Sequence, residues 1–208
     1  MERKIVKRKI LEFLLAKVKP HPAPKIFLEQ FSTPPELAAN ILCTATYSFD
    51  DVVGRSVCDL GCGGGIFAIG AAYLGAEYTV GIDIDRLAVT QACRTARELG
   101  IDVDWVIGDI ALLREKFDTV IQNPPFGVRR HGMDRVFLEK ALSIADTVYS
   151  IHKGGKENRK FIEKTVVEKL NGQVTSVVEA ELVIPYMFNF HRKQKYRITV
   201  DVYRIVKR

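Results

Sequence analysis

Hydrophobic positions along the 208-residue chain follow two alternating periods. Short buried-type runs occur at Val57–Leu60, Thr79–Ile82, Val103–Ile107 and Phe117–Ile121. Between them, Ile66–Leu74 and Arg86–Leu99 carry apolar residues at helical spacing, closed by Gly75 and Gly100. Strand-length runs bounded by turns and alternating with amphipathic helices predict a mostly parallel sheet with helices on both faces. Helices are expected next at Met133–Ala145 and Lys156–Leu170, flanking a strand at Val148–His152. Two long alternating runs, Gln173–Ile184 and Tyr196–Val206, end the chain as a hairpin. One of its strands should run antiparallel at the sheet edge, which makes seven strands in an α/β fold.

Upstream of this pattern, Ile5–Val18 has helical spacing with Lys and Arg between its apolar residues. Pro20, Pro22 and Pro24 stop that helix and stiffen the connector beyond it. Residues 1–25 are therefore read as an N-terminal helix and Pro-rich connector, with one domain over 26–208. The helix is expected to pack on that domain or to dock a partner. Thr33, Pro34 and Glu36 have the arrangement of a capping box, with Thr33 as N-cap of a helix running to about Tyr47. A helix start of this kind offers free N–H groups to an anionic ligand, which makes Gln30 and Thr33 candidate ligand contacts.

Three strand ends carry acids: Asp59, Asp83 and Asp109. In open parallel sheets ligands bind at these carboxyl ends. Gly61-Cys-Gly-Gly-Gly65 follows Asp59 and lets backbone approach a ligand closely. Asp83 lies 24 residues after Asp59, near the spacing of an acid that binds a ribose diol. A dinucleotide fingerprint would need a glycine at position 66, where this chain has Ile66. The pattern resembles instead the class I S-adenosylmethionine (AdoMet) methyltransferases, which have a Rossmann-like fold. By that resemblance the glycine turn, including Gly63, passes the methionine moiety and Asp59 lies near its ammonium. Asp83 takes both ribose hydroxyls, and Asp109 accepts from the adenine amine with Ile110 and Ala111 lining the ring.

The fourth strand ends in Gln122-Asn123-Pro124-Pro125-Phe126-Gly127. Paired prolines must leave the sheet in a rigid turn, and by themselves they fit an ordinary strand end. Behind a cofactor pocket the same turn is an acceptor site for a flat amine. Asn123 Oδ1 and the Pro124 carbonyl would accept N–H bonds, Pro125 would stiffen the turn, and Phe126 would stack on a ring. Asn123, Pro124, Pro125 and Phe126 are thus the candidate catalytic residues.

Further blocks extend the likeness: Leu28-Glu-Gln-Phe-Ser-Thr33, Asp59-Leu-Gly-Cys-Gly63, Gly81-Ile-Asp-Ile-Asp85, Phe117-Asp-Thr-Val-Ile121, Tyr149-Ser-Ile-His-Lys153 and Phe190-His-Arg-Lys193. From Leu28 onward the chain resembles the methyltransferase-like protein five family, as an archaeal member; residues 1–25 lie outside the resemblance. It implies AdoMet-dependent methylation of an adenine N6 in small-subunit rRNA, and a small zinc-binding activator as heterodimer partner. Gln30, Thr33, Gly61, Gly64, Ile66, Asp83, Asp109, Ile110 and Ala111 would contact AdoMet. An RNA guanine-N2 methyltransferase, a protein glutamine methyltransferase and an AdoMet-binding scaffold for ribosome assembly are the alternatives.

Composition and charge narrow this only slightly. With 47% hydrophobic and 27% charged residues the chain is that of a globular protein, and no apolar run approaches the ~20 residues of a membrane span. A cytoplasmic address is expected because Met1–Ile5 is charged, unlike a secretory leader. The net charge of +6 is concentrated partly in loops, where Arg129, Arg130, Lys153, Arg192, Lys193 and Lys195 are candidate RNA phosphate contacts. Cys43, Cys58, Cys62 and Cys93 lack metal-ligand spacing and read as free thiols in a reducing compartment. The Val103–Ile107 strand is expected at a sheet edge open to a partner strand.

Overall fold

The computed structural model describes residues 5–25, 29–126, 132–185 and 195–208. Strands β1 (Ser56–Leu60), β2 (Tyr78–Asp83), β3 (Asp104–Ile107), β4 (Phe117–Gln122), β5 (Ala145–Lys153), β6 (Gly172–Pro185) and β7 (Lys195–Lys207) form one sheet. Its order is β3-β2-β1-β4-β5-β7-β6. β1 through β5 are parallel, and β7 is antiparallel to both its neighbours. The antiparallel strand lies one place in from the edge, with β6 outermost. Burial explains the order: Val200, Val202, Tyr203 and Ile205 of β7 are buried, whereas β6 exposes most of its residues before Leu182. At the opposite edge β3 pairs only with β2 among the described residues, as expected.

Helices α1 (Arg8–Leu15), α2 (Pro35–Tyr47) and α3 (Ile66–Leu74) cover one face; α5 (Met133–Ile144) and α6 (Lys156–Lys164) cover the other. α4 (Arg86–Leu99) links β2 to β3. The Asp85 side chain caps α4 by accepting from the Leu87 N–H, and Gly100 closes it in the left-handed region at φ +66°. α6 is shorter than expected, because its last turn, Thr165–Lys169, widens to a π-turn before β6.

α1 packs on the domain: Leu11 and Leu15 are fully buried in the cluster that contains Leu42 and Phe67. Tyr47 at the end of α2 ties it down further, its hydroxyl accepting from the Val6 N–H at 2.8 Å. One expectation for the N-terminal third needs correction. α2 begins at Pro35, with Pro34 extended at ψ 142° as the cap and no side-chain cap bond. The Thr33–Glu36 capping box does not form, because a residue followed by proline is driven out of the helical region and Pro34 is itself followed by Pro35.

The glycines under the β3 edge are set by one side chain. Trp105 of β3 stands beside Gly81 of β2, its register partner, and reaches Gly65. A Cβ on Gly81 or Gly65 would come within 2.4 or 2.3 Å of the indole. Gly81→Ala should therefore cost about 1–3 kcal/mol of stability by overpacking. In a Trp105→Leu background most of that penalty should vanish, a non-additivity that denaturant melts of the four proteins would measure.

Candidate active site

The carboxyl ends of β1, β2 and β4 open into a cavity of about 580 Å³. Asp59 at the end of β1 is 1% exposed, and its Oδ2 accepts from the Ala68 N–H at 3.0 Å. Burial pushes the Asp59 carboxyl up to about 7; the N–H bonds from Ala68 and Phe67 oppose the shift and the Asp83 charge adds to it. The glycine turn after it is pinned to the end of β2. Gly61 and Cys62 both donate to the Ile82 carbonyl at 2.9 Å, and Gly63 donates to Asp83 Oδ2 at 2.9 Å. Gly63, at φ +50°, has open space where a Cβ would stand, so the turn leaves backbone exposed to the cavity.

Asp83 also accepts from the Asp85 N–H through Oδ1 at 2.8 Å. Burial holds its carboxyl above the usual range against these two N–H bonds. Asp109 caps the short 3₁₀ turn Ile110–Leu112 by accepting from the Ala111 N–H at 2.9 Å. Ile110 is buried and lines the cavity with Asp109; Ala111 is exposed and does not line it. Of the other residues expected at a cofactor, Gln30, Thr33, Gly61, Gly64 and Ile66 all line the cavity.

The acceptor turn is split. Asn123 and Pro125 line the cavity. Pro124 is buried outside its wall, and Phe126 is half-buried against the α1–α2–α3 core cluster. Asn123 Nδ2 donates to Thr33 Oγ1 at 3.0 Å. Its Oδ1 is buried with no partner. A buried acceptor without a partner costs about 1–3 kcal/mol, so such a group marks a place where a donor belongs.

The residues that the sequence pattern did not reveal lie on the segment after α1. Val18, Lys19, Pro20 and His21 wall one side of the cavity. The Lys19 carbonyl is close enough to Gly64 that an added Cβ would sit 3.1 Å from it. This strap is latched to Asp85, a 3% exposed carboxylate. Its Oδ2 lies 2.9 Å from Lys25 Nζ, 3.2 Å from His21 Nε2 and 3.1 Å from Gln30 Nε2, which donates to it. Burial would raise the Asp85 carboxyl, but the bonds from Lys25, Gln30 and the Leu87 N–H, with the His21 charge, together hold it well below the ordinary carboxylate range. Gln30 thus serves the latch, its Oε1 also accepting from the Lys25 N–H at 2.7 Å. Only the three prolines hinted at a rigid strap; nothing local to residues 18–25 showed where it would lie.

Among the candidate RNA contacts, Lys153 is exposed at the carboxyl end of β5. Arg129, Arg130, Arg192 and Lys193 lie outside the described residues, as does the side chain of Lys195. Gly127, Leu28 and the Phe190–Lys193 block also lie outside them. Cys58 and Cys62 are buried free thiols, and burial raises both.

Known proteins share this outline. The model of the ribosomal protein L11 methyltransferase (PrmA) family matches residues 40–124, the stretch from within α2 through Pro124. The rRNA N(6)-adenosine-methyltransferase METTL5 of Danio rerio is 39% identical over 96% of this chain and 98% of its own. The chain belongs to the METTL5 family. The Drosophila melanogaster rRNA N(6)-adenosine-methyltransferase Mettl5 is 38% identical over 95% of this chain and 94% of its own. The crystal structure of a putative RNA methyltransferase, PH1948, from Pyrococcus horikoshii superposes with a TM-score of 0.89. It is 40% identical and covers 98% of this chain and 99% of that one. Coverage this complete takes in most of residues 1–25, so the likeness to METTL5 proteins does not start at Leu28. The strap falls within it.

Asp85→Ala should unlatch the strap. Hydrogen exchange of the Ala23 and Lys25 amides is then expected to quicken roughly 10- to 100-fold, the equivalent of losing about 1.5–3 kcal/mol of charged hydrogen bonding. An acid titration of the native protein should leave the strap fully protected above the ordinary carboxylate range and loosen it progressively below, because a depressed carboxyl loses its stabilising contribution as pH falls from its unfolded toward its folded pKa.

Proposed function

We propose that this chain transfers the methyl group of AdoMet to N6 of an adenine in rRNA, small-subunit rRNA being the more specific expectation. The observation that carries the reading is the unpartnered, buried Oδ1 of Asn123 in the wall of a cavity edged by Asp59, Asp83 and Asp109. Full-length similarity to METTL5 proteins named as rRNA N(6)-adenosine methyltransferases supports the base and the RNA class.

The residues present fit the cofactor. Three acceptor-only carboxylates suit an ammonium, a diol and an adenine amine in turn, and open space over Gly63 gives backbone access between the first two. AdoMet would supply an electrophilic sulfonium methyl. Asp59 is then placed to hold the ammonium, Asp83 the ribose hydroxyls, and Asp109 with Ile110 the adenine. At the other wall Asn123 Oδ1 accepts from the substrate amine, and the Pro124 carbonyl, behind that wall in this structure, is the expected second acceptor. These two bonds hold the amine and draw its lone pair out of conjugation, so that it can attack along the methyl–sulfur axis. Phe126, outside the cavity wall, is the expected stacking face for a base unstacked from the RNA. Lys153 and the other basic residues would meet phosphates. No strong base is needed, since the amine becomes acidic as the new bond forms.

A small zinc-binding activator as partner is part of the proposal. The edge position of β3, with Val106 and Ile107 exposed at 38% and 45%, supports a strand-adding interface. Isolation of a fully active monomer with no co-purifying subunit would count against it.

Two measurements test the reaction. Labelled AdoMet should transfer methyl to rRNA as N6-methyladenosine; label in methylguanosine or in protein would replace this reading with one of the alternatives. Asn123→Ala should lower turnover roughly 10²–10³-fold with AdoMet affinity little changed.

The proton balance of cofactor binding depends on pH. With its folded carboxyl at about 7, Asp59 contributes stability to the free protein at low pH that is lost as pH rises through 7. An ammonium partner favours the ionised form, so AdoMet binding should release a proton near pH 6. Affinity should weaken up to tenfold per pH unit below 7. Calorimetry in buffers of different ionisation enthalpy would read the proton, and Asp59→Asn should abolish it.

A further inference from the structure

An asparagine amide is nearly symmetric in shape and opposite in chemistry at its two ends. The oxygen accepts; the nitrogen donates. A turn that selects an amine must present the oxygen, and one rotation of about 180° about the terminal torsion would present the nitrogen instead. An amide that offers one end reliably needs a partner that holds it still. From the hydrogen bond between Asn123 Nδ2 and Thr33 Oγ1 we infer that Thr33 is the positioning residue that holds the Asn123 amide in the cavity wall, its oxygen left to face the cavity. The inference rests on the methyl-transfer reading above and deepens it.

Thr33 is suited to this because α2 does not use it. In an ordinary N-cap the hydroxyl would be occupied by the first free N–H groups of the helix. Here the next two residues are Pro34 and Pro35, which have no N–H to offer, and α2 starts one residue too late for Thr33 to cap it. The hydroxyl stays available at 6% exposure. The bond, at 3.0 Å, spans 90 residues of sequence and joins two proline-paired turns, Thr33-Pro34-Pro35 and Asn123-Pro124-Pro125. Proline restricts both itself and the residue before it, so neither end of the bond can drift far. With Nδ2 held by Thr33, Oδ1 is left as the buried group without a partner. Without the Thr33 bond the amide is free to turn, and the cavity would meet donor and acceptor alike.

Thr33→Val keeps the shape and removes the bond. The purified protein, with any activator subunit it requires, is assayed on rRNA beside Thr33→Ser, Asn123→Ala and the double variant Thr33→Val/Asn123→Ala. The expected result is a 10- to 30-fold loss of kcat in Thr33→Val, with AdoMet Kd within about threefold of the parent and the melting temperature nearly unchanged. Thr33→Ser should restore kcat to within about threefold. The double variant should be no slower than Asn123→Ala, because Thr33 acts through Asn123. A direct readout is the side-chain amide resonance of ¹⁵N-labelled Asn123, which should shift and exchange faster in Thr33→Val but not in Thr33→Ser.

If Thr33→Val instead weakens AdoMet binding at constant kcat, Thr33 is a cofactor contact and the inference fails while the reaction stands. Losses that add in the double variant, or full activity in Thr33→Val, also overturn it. Full activity in Asn123→Ala overturns the methyl-transfer reading itself, and the positioning role with it.

Discussion

One carboxylate holds the functional end of this fold together. Asp83, the last residue of β2, accepts from the Gly63 N–H of the turn after β1 and from the Asp85 N–H of the turn into α4. The two turns that border the cavity are thereby fixed to a single strand end. Through Asp85 the same point carries the latch to His21, Lys25 and Gln30. Burial makes this arrangement stiff: an ionised carboxylate shielded from water needs its N–H partners, and they in turn lose their conformational freedom.

The second wall is organised differently. The β4 turn and the Thr33 turn come from distant parts of the chain and meet through a side-chain bond between two segments stiffened by proline. Their precision comes from restricted backbone, and the unpartnered Asn123 oxygen is the result. Stiff walls on both sides suit a reaction that depends on alignment more than on acid–base chemistry.

The strap changes how the N-terminal segment is understood. α1 supplies Leu11 and Leu15 to the main core, and from there the chain runs directly over the glycine turn. Positions 18–25 thereby serve the cavity, although their sequence contains only residues that would suit any surface connector, among them three prolines and a histidine.

The strands, α3 and α4 were legible in the chain because burial imposes a period of two or 3.6 on neighbouring positions, and Gly75 and Gly100 mark where helices must end. The acids were legible for a similar reason: in a parallel sheet every strand ends at the same edge, so Asp59, Asp83 and Asp109 had to converge. Thr33 misled, since a local capping rule treats its hydroxyl as available only to α2, and the proline after it excludes that use. Asp85 caps α4 through one oxygen, and its other oxygen holds a strap from far upstream in the chain. Local periodicity and turn chemistry determined the elements and the acidic edge. Tertiary structure alone decided which free oxygen and which latch these elements would share, because such bonds depend on distances that only the packed sheet sets.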